Sequence, residues 1–313
     1  VLGVVIIGIL ATLMVGIFPM LDFIKIPVSM GIRGKVNQMK RNFFLRNSFV
    51  IIQFTIAILF ISIAIILNRQ IGFMKNADLG FERNNILVGR IDLDYKNLDA
   101  AGSKFNALLH DLRNNPHVES VSTSQAIPSD YLFNYTTYYD PITKTDVRMR
   151  RSYADDSYLE TLEVPMVEGR NFDANIDKSE ELPVLINEAA MRAFGWETIE
   201  GKRLNFKGNE GLGQPIVGVV KDFHYQDLQN AVEPLVHIYR DRRRLDAHRY
   251  LTVHVAEGHE KQIEGLIAST FASIDSRREY EQSRLTDEVS AQYQLIEGIL
   301  QSVNITALLT VFI

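Results

Sequence analysis

Residues 49–67, FVIIQFTIAILFISIAIIL, run for nineteen positions without a charge, a Pro or a Gly. That is about the length an α-helix needs to cross a hydrocarbon core. Fourteen of the nineteen are Phe, Val, Ile or Leu. At about −0.3 to −0.6 kcal/mol each, such residues favour insertion by roughly 4 to 8 kcal/mol, offset in part by Gln53, Thr55 and Ser62. Basic residues precede the stretch, and a long polar region follows it. Residues 49–67 are therefore expected to span a membrane, and the rest of the chain sorts by side.

Residues 1–21 form a second uncharged run of spanning length. They lack the basic leading region and small-residue cleavage pattern of a signal peptide, so a transmembrane helix is expected. Gly3, Gly8, Gly16 and Pro19 are tolerated in membrane helices. The connection 22–48 carries Lys25, Arg33, Lys35, Lys40, Arg41 and Arg46 against one acid, Asp22. Short loops rich in Lys and Arg stay in the cytoplasm. The first span then runs inward and 49–67 runs outward. Within the loop, 36–48 reads as an amphipathic helix on the inner leaflet, with Lys40, Arg41 and Arg46 at the lipid headgroups; a solvated basic loop is the other reading. Residues 303–313 are a further apolar run, read as the truncated start of another span. The chain is expected to be a piece of a larger membrane protein.

Residues 68–302 must then lie outside. The chain has 33 basic and 38 acidic residues, of which the loop takes six and one, leaving 27 and 37 here, a net charge of −10. An acidic body argues against a nucleic-acid partner, which needs a basic surface. The clusters Arg148, Arg150, Arg151 and Arg240, Arg242, Arg243, Arg244 read as solvated faces. Cys is absent, so neither a disulfide framework nor a thiolate metal site is available.

Inside the body the periodicity changes repeatedly. Residues 85–94 read as a strand, 98–114 as a helix with Phe105, Leu108, Leu109 and Leu112 on one face, and 118–124 as a strand. Later, 234–239 and 250–255 read as strands, 260–274 as a helix and 279–284 as a short strand. The second set can complete the first in one split α+β sheet. Between them, about 129–232, lies an insertion: a strand at 146–153, short helices at 156–162 and 187–194, and paired strands at 202–206 and 214–220 around a Gly-rich turn. The expected fold is a two-lobed α+β extracytoplasmic domain attached to transmembrane α-helices. Residues 68–77 extend the earlier span outward. Residues 285–303 are expected to run as one continuous helix into 303–313.

No catalytic constellation emerges. Gly31 to Val36 lacks the spacing and hydroxyl of a phosphate loop, and Gly208 to Gly213 does not join a strand to a helix. His259-Glu260 lacks the second His of a zinc protease helix, and no G-x-S-x-G elbow exists. His248 and His254 sit in a strand region, and Asp92 and Asp94 read as a solvated pair. No catalytic, cofactor or metal residue is assigned. Gln53, one turn into the span, reads as an interhelix contact. Tyr131, Phe133 and Tyr135, with Tyr138 and Tyr139, open the inserted lobe; they serve as strand packing or as a surface for a partner.

Five strings in order resemble the MacB/FtsX class of ABC transporter permeases, most of all the long two-half permeases. They are RNSFVIIQFTIAI (46–58), QIGFMKNADLGF (70–81), LEVPMVEGRNF (162–172), VLINEAAMRAFG (184–195) and IVGVVKDFHYQDL (216–228). The resemblance implies a MacB-like periplasmic core domain made of a porter-like lobe and an inserted Sabre-like lobe. It implies a multi-pass protein of the bacterial inner membrane, paired as permease halves. It also implies a separate cytoplasmic ABC ATPase as partner, with a periplasmic or outer-membrane partner in some members. ATP-driven motion would then pass through the membrane helices to the outer body, for efflux or release of a substrate. The rival reading is a membrane sensor whose outer domain binds a ligand and signals inward. A tethered hydrolase is disfavoured by the missing site chemistry.

Overall fold

The computed structural model describes residues 36–91, 98–130, 134–177, 181–206, 213–242, 246–274 and 280–312. Two compact units emerge: Val1–Ala77 with Tyr293–Ile313, and Asp78–Gln292. In the first unit, helix α1 runs unbroken over Val36–Asn76, 41 residues, or about 60 Å at 1.5 Å per residue. Its part Val50–Asn76 is, among the described residues, the one helix long and apolar enough to cross a membrane. The last helix of the chain, α7 (Gln294–Phe312), packs along it.

The contact between these helices has a coiled-coil period. Over Val50–Asn76, Gln53, Ala57, Phe60, Ala64, Leu67, Ile71 and Met74 are the shielded positions of α1, at alternating steps of four and three. Knobs spaced this way keep one seam facing a partner helix. On α7, Leu300 and Ala307 are buried one heptad apart. Lys75 pairs with Glu297, and Asn68 Nδ2 donates to Asn304 Oδ1 at 3.2 Å, so the helices run antiparallel. The other faces of α1 expose Ile51, Phe54, Ile58, Leu59, Ile65 and Ile66. A helix apolar all round and not covered by protein has the surface of a membrane span.

The second unit holds two lobes. The first is built from β1 (Ile86–Arg90), α2 (Leu98–Arg113) and β2 (Val118–Ser124). It is completed by β10 (Tyr250–Val255), α5 (Glu260–Ile274) and β11 (Gln282–Arg284). The strands stand in the order β11-β1-β10-β2, all antiparallel. Each helix offers apolar residues at three- and four-residue steps, Phe105, Leu108 and Leu112 from α2 and Ile263, Ile267 and Phe271 from α5. These pack with Leu87, Val121, Leu251 and Val253 on one face of the sheet. The other face is covered by the short helix α3 (Tyr158–Thr161) and by α6 (Leu285–Ala291).

The second lobe closes on itself. Strand β3 (Asn134–Asp140) pairs with β4 (Thr145–Ala154) and with β7 (Arg203–Phe206), which pairs with β8 (Gln214–Val220). Strand β8 pairs with β6 (Val184–Asn187), β6 with β9 (Leu235–Tyr239), and β9 returns to β4. The ring of six strands leaves no edge inside it, which small barrels use to protect their backbone groups. Strand β5 (Met166–Gly169) adds to β8 from outside. Tyr138, Met149, Val184, Ile186, Val219 and Val236 fill the inside, and α4 (Glu188–Phe194) brings Phe194 to the same core. One rung, Ser124 opposite Ala154, joins the two sheets. Ser124 also stands opposite Tyr250, so the chain leaves the first lobe and re-enters it at a single register position.

Two expectations need correction. The strand at 235–239 exists, but it belongs to the barrel, so the inserted lobe extends past 232 to Tyr239. All five of its residues are buried, and such an apolar run suits either sheet. Residues 285–303 do not form one helix: a turn at Gln292 and Tyr293 separates α6 from α7. Leu285 and Val289 are buried in the body, whereas Tyr293 opens the unit that contains α1. No Gly or Pro marks the change. The span expected at 1–21, the loop up to residue 35, Asp92, Asp94, Gly208, Gly211, Arg243 and Arg244 lie outside the described residues.

Candidate functional site: the clamp after the long helix

The chain leaving α1 becomes part of the body through Asp78 to Glu82. Asp78 Oδ1 accepts the Gly80 N–H at 2.8 Å, turning the chain. Gly80 has φ +81, a conformation that side chains disfavour. An added Cβ there would lie 3.1 Å from both Asp222 O and Phe223 Cβ. Leu79 O accepts the His224 N–H at 2.8 Å. The Phe81 ring meets Phe223 edge-on, with centroids 6.2 Å apart. Glu82 N donates to Leu162 O at 2.8 Å. Four residues in a row are thus fixed to the region around β8 and α3.

The groups that grip this segment are themselves fixed. Asn187 caps α4: its Oδ1 accepts Ala190 N at 3.1 Å and Leu235 N at 2.9 Å, and its Nδ2 donates to Glu233 O at 3.0 Å. This satisfies an otherwise orphan helix donor. Asp222 Oδ1 accepts Ala189 N at 2.9 Å, and Glu188 Oε2 accepts Asp222 N at 3.0 Å. Arg192 pairs with the other oxygen of Asp222. Lys221 N donates to Pro165 O at 2.9 Å, which holds the 162–165 loop to the end of β8. Behind Phe223 lie Tyr225 and His237, with the His237 ring parallel to Phe223 at 6.3 Å. Burial pushes the His237 imidazole down to about 4.

The second to fifth strings of the sequence therefore meet in space: Leu79-Gly80-Phe81, Leu162 to Pro165, Asn187 to Ala190, and Lys221 to His224. Sequence reasoning picked out the strings but not Gly80, Asn187, Asp222 and Phe223 as the points where they touch. Asn187 followed by Glu188 ahead of an apolar helix face carried a legible cap signal. The contacts between strings carried none. The arrangement supplies no acid, base or nucleophile aimed into a cleft; what it can do is hold a chain segment firmly.

The other sequence candidates are spread over the molecule. Tyr135 is partly exposed and lies between the guanidinium groups of Arg148 and Arg150, at 3.8 and 4.1 Å from its centroid. Its hydroxyl donates to Glu233 Oε2 at 2.9 Å, and Arg150 Nε donates to the same oxygen at 2.7 Å. Burial raises the Glu233 carboxyl, but the Arg150 and Tyr135 hydrogen bonds outweigh it and hold the group low. These arginines are thus stacked and paired rather than merely solvated. Tyr131 and Phe133 lie outside the described residues. Gln53 occupies a seam position of α1. Lys40, Arg41 and Arg46 are in the helical part of α1, and their side chains lie outside the described residues. Among the described residues no group of three His, Cys, Asp or Glu is placed to hold a metal.

No protein-family model matches the chain, and no curated protein matches it. Among solved structures, the periplasmic region of MacB from Actinobacillus actinomycetemcomitans is similar at 14% identity, with a TM-score of 0.46, over 70% of this chain and 94% of that one. The extracellular domain of the noncanonic ABC-type transporter YknZ from Gram-positive bacteria is similar at 14% identity, with a TM-score of 0.43, over 64% and 100% of the two chains.

Proposed function

We propose that the chain is part of a permease subunit of a MacB/FtsX-type ABC transporter, and that its body is a periplasmic core domain of porter-like and Sabre-like lobes. The carrying observation is the clamp: the segment leaving the apolar helix is fixed at Leu79, Gly80, Phe81 and Glu82 by the strings at 162–172 and 216–228, the latter braced by the string at 184–195. A helix that must move a body needs such a fixed attachment. The lipid-compatible surface of α1 and the net negative outer body support the same reading.

In this reading the chain hydrolyses nothing. A cytoplasmic ABC ATPase closes on nucleotide, the membrane helices carry that motion outward, and the body works on a substrate already outside the inner membrane. The protein sits in the inner membrane as a multi-pass subunit, paired as permease halves, with a periplasmic or outer-membrane partner.

Purification of the whole protein from its native membrane tests this. An ATP-hydrolysing subunit should accompany it in fixed ratio. A sensor would instead bring a signalling enzyme, and that outcome would overturn the permease reading. In the reconstituted pair, Gly80→Ala should lower transport while ATP hydrolysis continues; transport at the wild-type rate would remove the clamp from the mechanism.

A further inference from the structure

A buried carboxylate stands where the two lobes of the body meet. Asp155 follows β4 of the barrel and is 1% exposed. Its Oδ2 accepts the Thr123 N–H at 2.9 Å and the Thr123 Oγ1 hydroxyl at 3.2 Å, and its own N–H donates to Thr123 O at 3.1 Å. Its Oδ1 accepts Ser157 N at 3.1 Å. Thr123 belongs to β2 of the first lobe. One residue of the barrel lobe thus grips the edge of the other lobe with both side chain and backbone, beside the single rung that joins the sheets.

Charged and titratable groups lie around Asp155 and its neighbour Asp156. Asp156 comes from the same segment and pairs with Arg242, whose Nε is 4.0 Å from Asp155 Oδ2. From α2 comes Arg113, whose Nη2 donates to Val121 O at 3.2 Å. Asp241 acts on Asp156, and its backbone oxygen lies 3.2 Å from Nε2 of the buried His248. Tyr239 comes from the end of β9, and the 170–177 segment adds Asp173 and Asp177, the latter held by Arg170 at 2.7 Å. Burial, and then the Asp156 charge, push the Asp155 carboxyl up to about 7; the Thr123 and Ser157 N–H groups and Arg113 pull against them.

We propose that Asp155 is a proton-operated clasp between the lobes: neutral, it lies dry in the seam and the lobes stay closed; ionised, its charge draws water in and the lobes part. The sign follows from linkage. The closed arrangement binds this proton more tightly than an open one in which the carboxylate is hydrated. Each pH unit between an ordinary carboxylate value near 4 and the closed-state value then shifts the balance toward the open arrangement by up to about tenfold. The clasp rests on the geometry of the body and does not depend on the permease reading.

The sequence has no Cys, so paired spin labels can be placed at will. The full chain in lipid nanodiscs, labelled through Asp111→Cys on the first lobe and Ala193→Cys on the second, is measured from pH 5 to pH 8. A short-distance population at pH 5 should give way to a longer one by pH 8. Asp155→Asn should hold the short population throughout. Distances independent of pH, or a titration that survives Asp155→Asn, would overturn the proposal. If that variant does not fold, Arg242→Gln carries the test: removing the nearby cation should move the transition to higher pH, and an unmoved or lowered transition would overturn the proposal.

Discussion

Gly80 and Phe223 approach so closely that a methyl group on the Gly80 Cα would stand 3.1 Å from Phe223 Cβ. The same glycine sits at φ +81. Both the contact and the backbone conformation oppose a side chain. Gly80→Ala should destabilise the body by about 1–2 kcal/mol. For a unit of this size that is a fall of roughly 2–8 °C in its thermal midpoint. An unchanged midpoint in the scanned full chain would mean that the segment shifts without cost.

Asn187 is a stronger lever. Its side chain satisfies Ala190 N, Leu235 N and Glu233 O at once, and the residue is 1% exposed. Asn187→Ala leaves buried backbone groups unpaired, at roughly 2–4 kcal/mol. Asn187→Asp should recover part of the loss, since its carboxylate still accepts from both N–H groups. Equal losses in the two variants, by denaturant titration, would exclude the capping account.

His237 fixes the sign of an acid response. Burial holds its imidazole down to about 4, against an ordinary value near 6.5. Between those values the unfolded chain binds the proton and the folded one does not, so stability is full above about 6.5 and is lost as pH falls toward 4. The loss amounts to roughly 3 kcal/mol. His248, also held down to about 4 by burial, acts in the same direction. His237→Phe should remove about half of this slope in midpoints measured from pH 4 to 7, while an unaltered slope would place the titration elsewhere. Asp155 works the other way: its raised value makes stability fall as pH rises from about 4 to 7.

The helix pair has its own register marker. Asn68 Nδ2 reaches Asn304 Oδ1 at 3.2 Å across the seam. Asn68→Cys with Asn304→Cys should form a disulfide on mild oxidation in membranes, while Asn68→Cys with Ile305→Cys should not. Amide pairs between membrane helices are worth about 0.6–2 kcal/mol, so Asn68→Leu alone should loosen the pair by that amount in a double-mutant cycle with Asn304→Leu. Absence of coupling between the two sites would dismiss the contact as incidental.

Much of this was legible in the residues. The period of Phe105, Leu108 and Leu112 marked a helix, and the alternation from Asp146 to Tyr153 marked a strand, because one face of each is buried. The uncharged run before Asn68 marked the apolar helix. What escaped has a common cause. Strand Leu235–Tyr239 has no polar face to reveal which sheet it joins, and the turn at Gln292 and Tyr293 keeps the apolar spacing of the helices on either side. The clamp depends on pairs such as Gly80 with Phe223, more than 140 positions apart, and no local pattern encodes that distance. Gln53 stands at a seam position, and the amide pair Asn68 with Asn304 joins the helices further along, a contact that needs the partner helix to be known.

The rung at which Ser124 faces Tyr250 has an architectural meaning. A whole barrel departs and returns through adjacent positions of two neighbouring strands, so a plain hairpin could bridge the same gap. Removing that cassette would leave the four strands paired but would take away α3, which covers one face of their sheet, and the β8 and α3 groups that hold Leu79 to Glu82. A laboratory chimera made at these two residues therefore folds only if its new head also covers that face of the sheet.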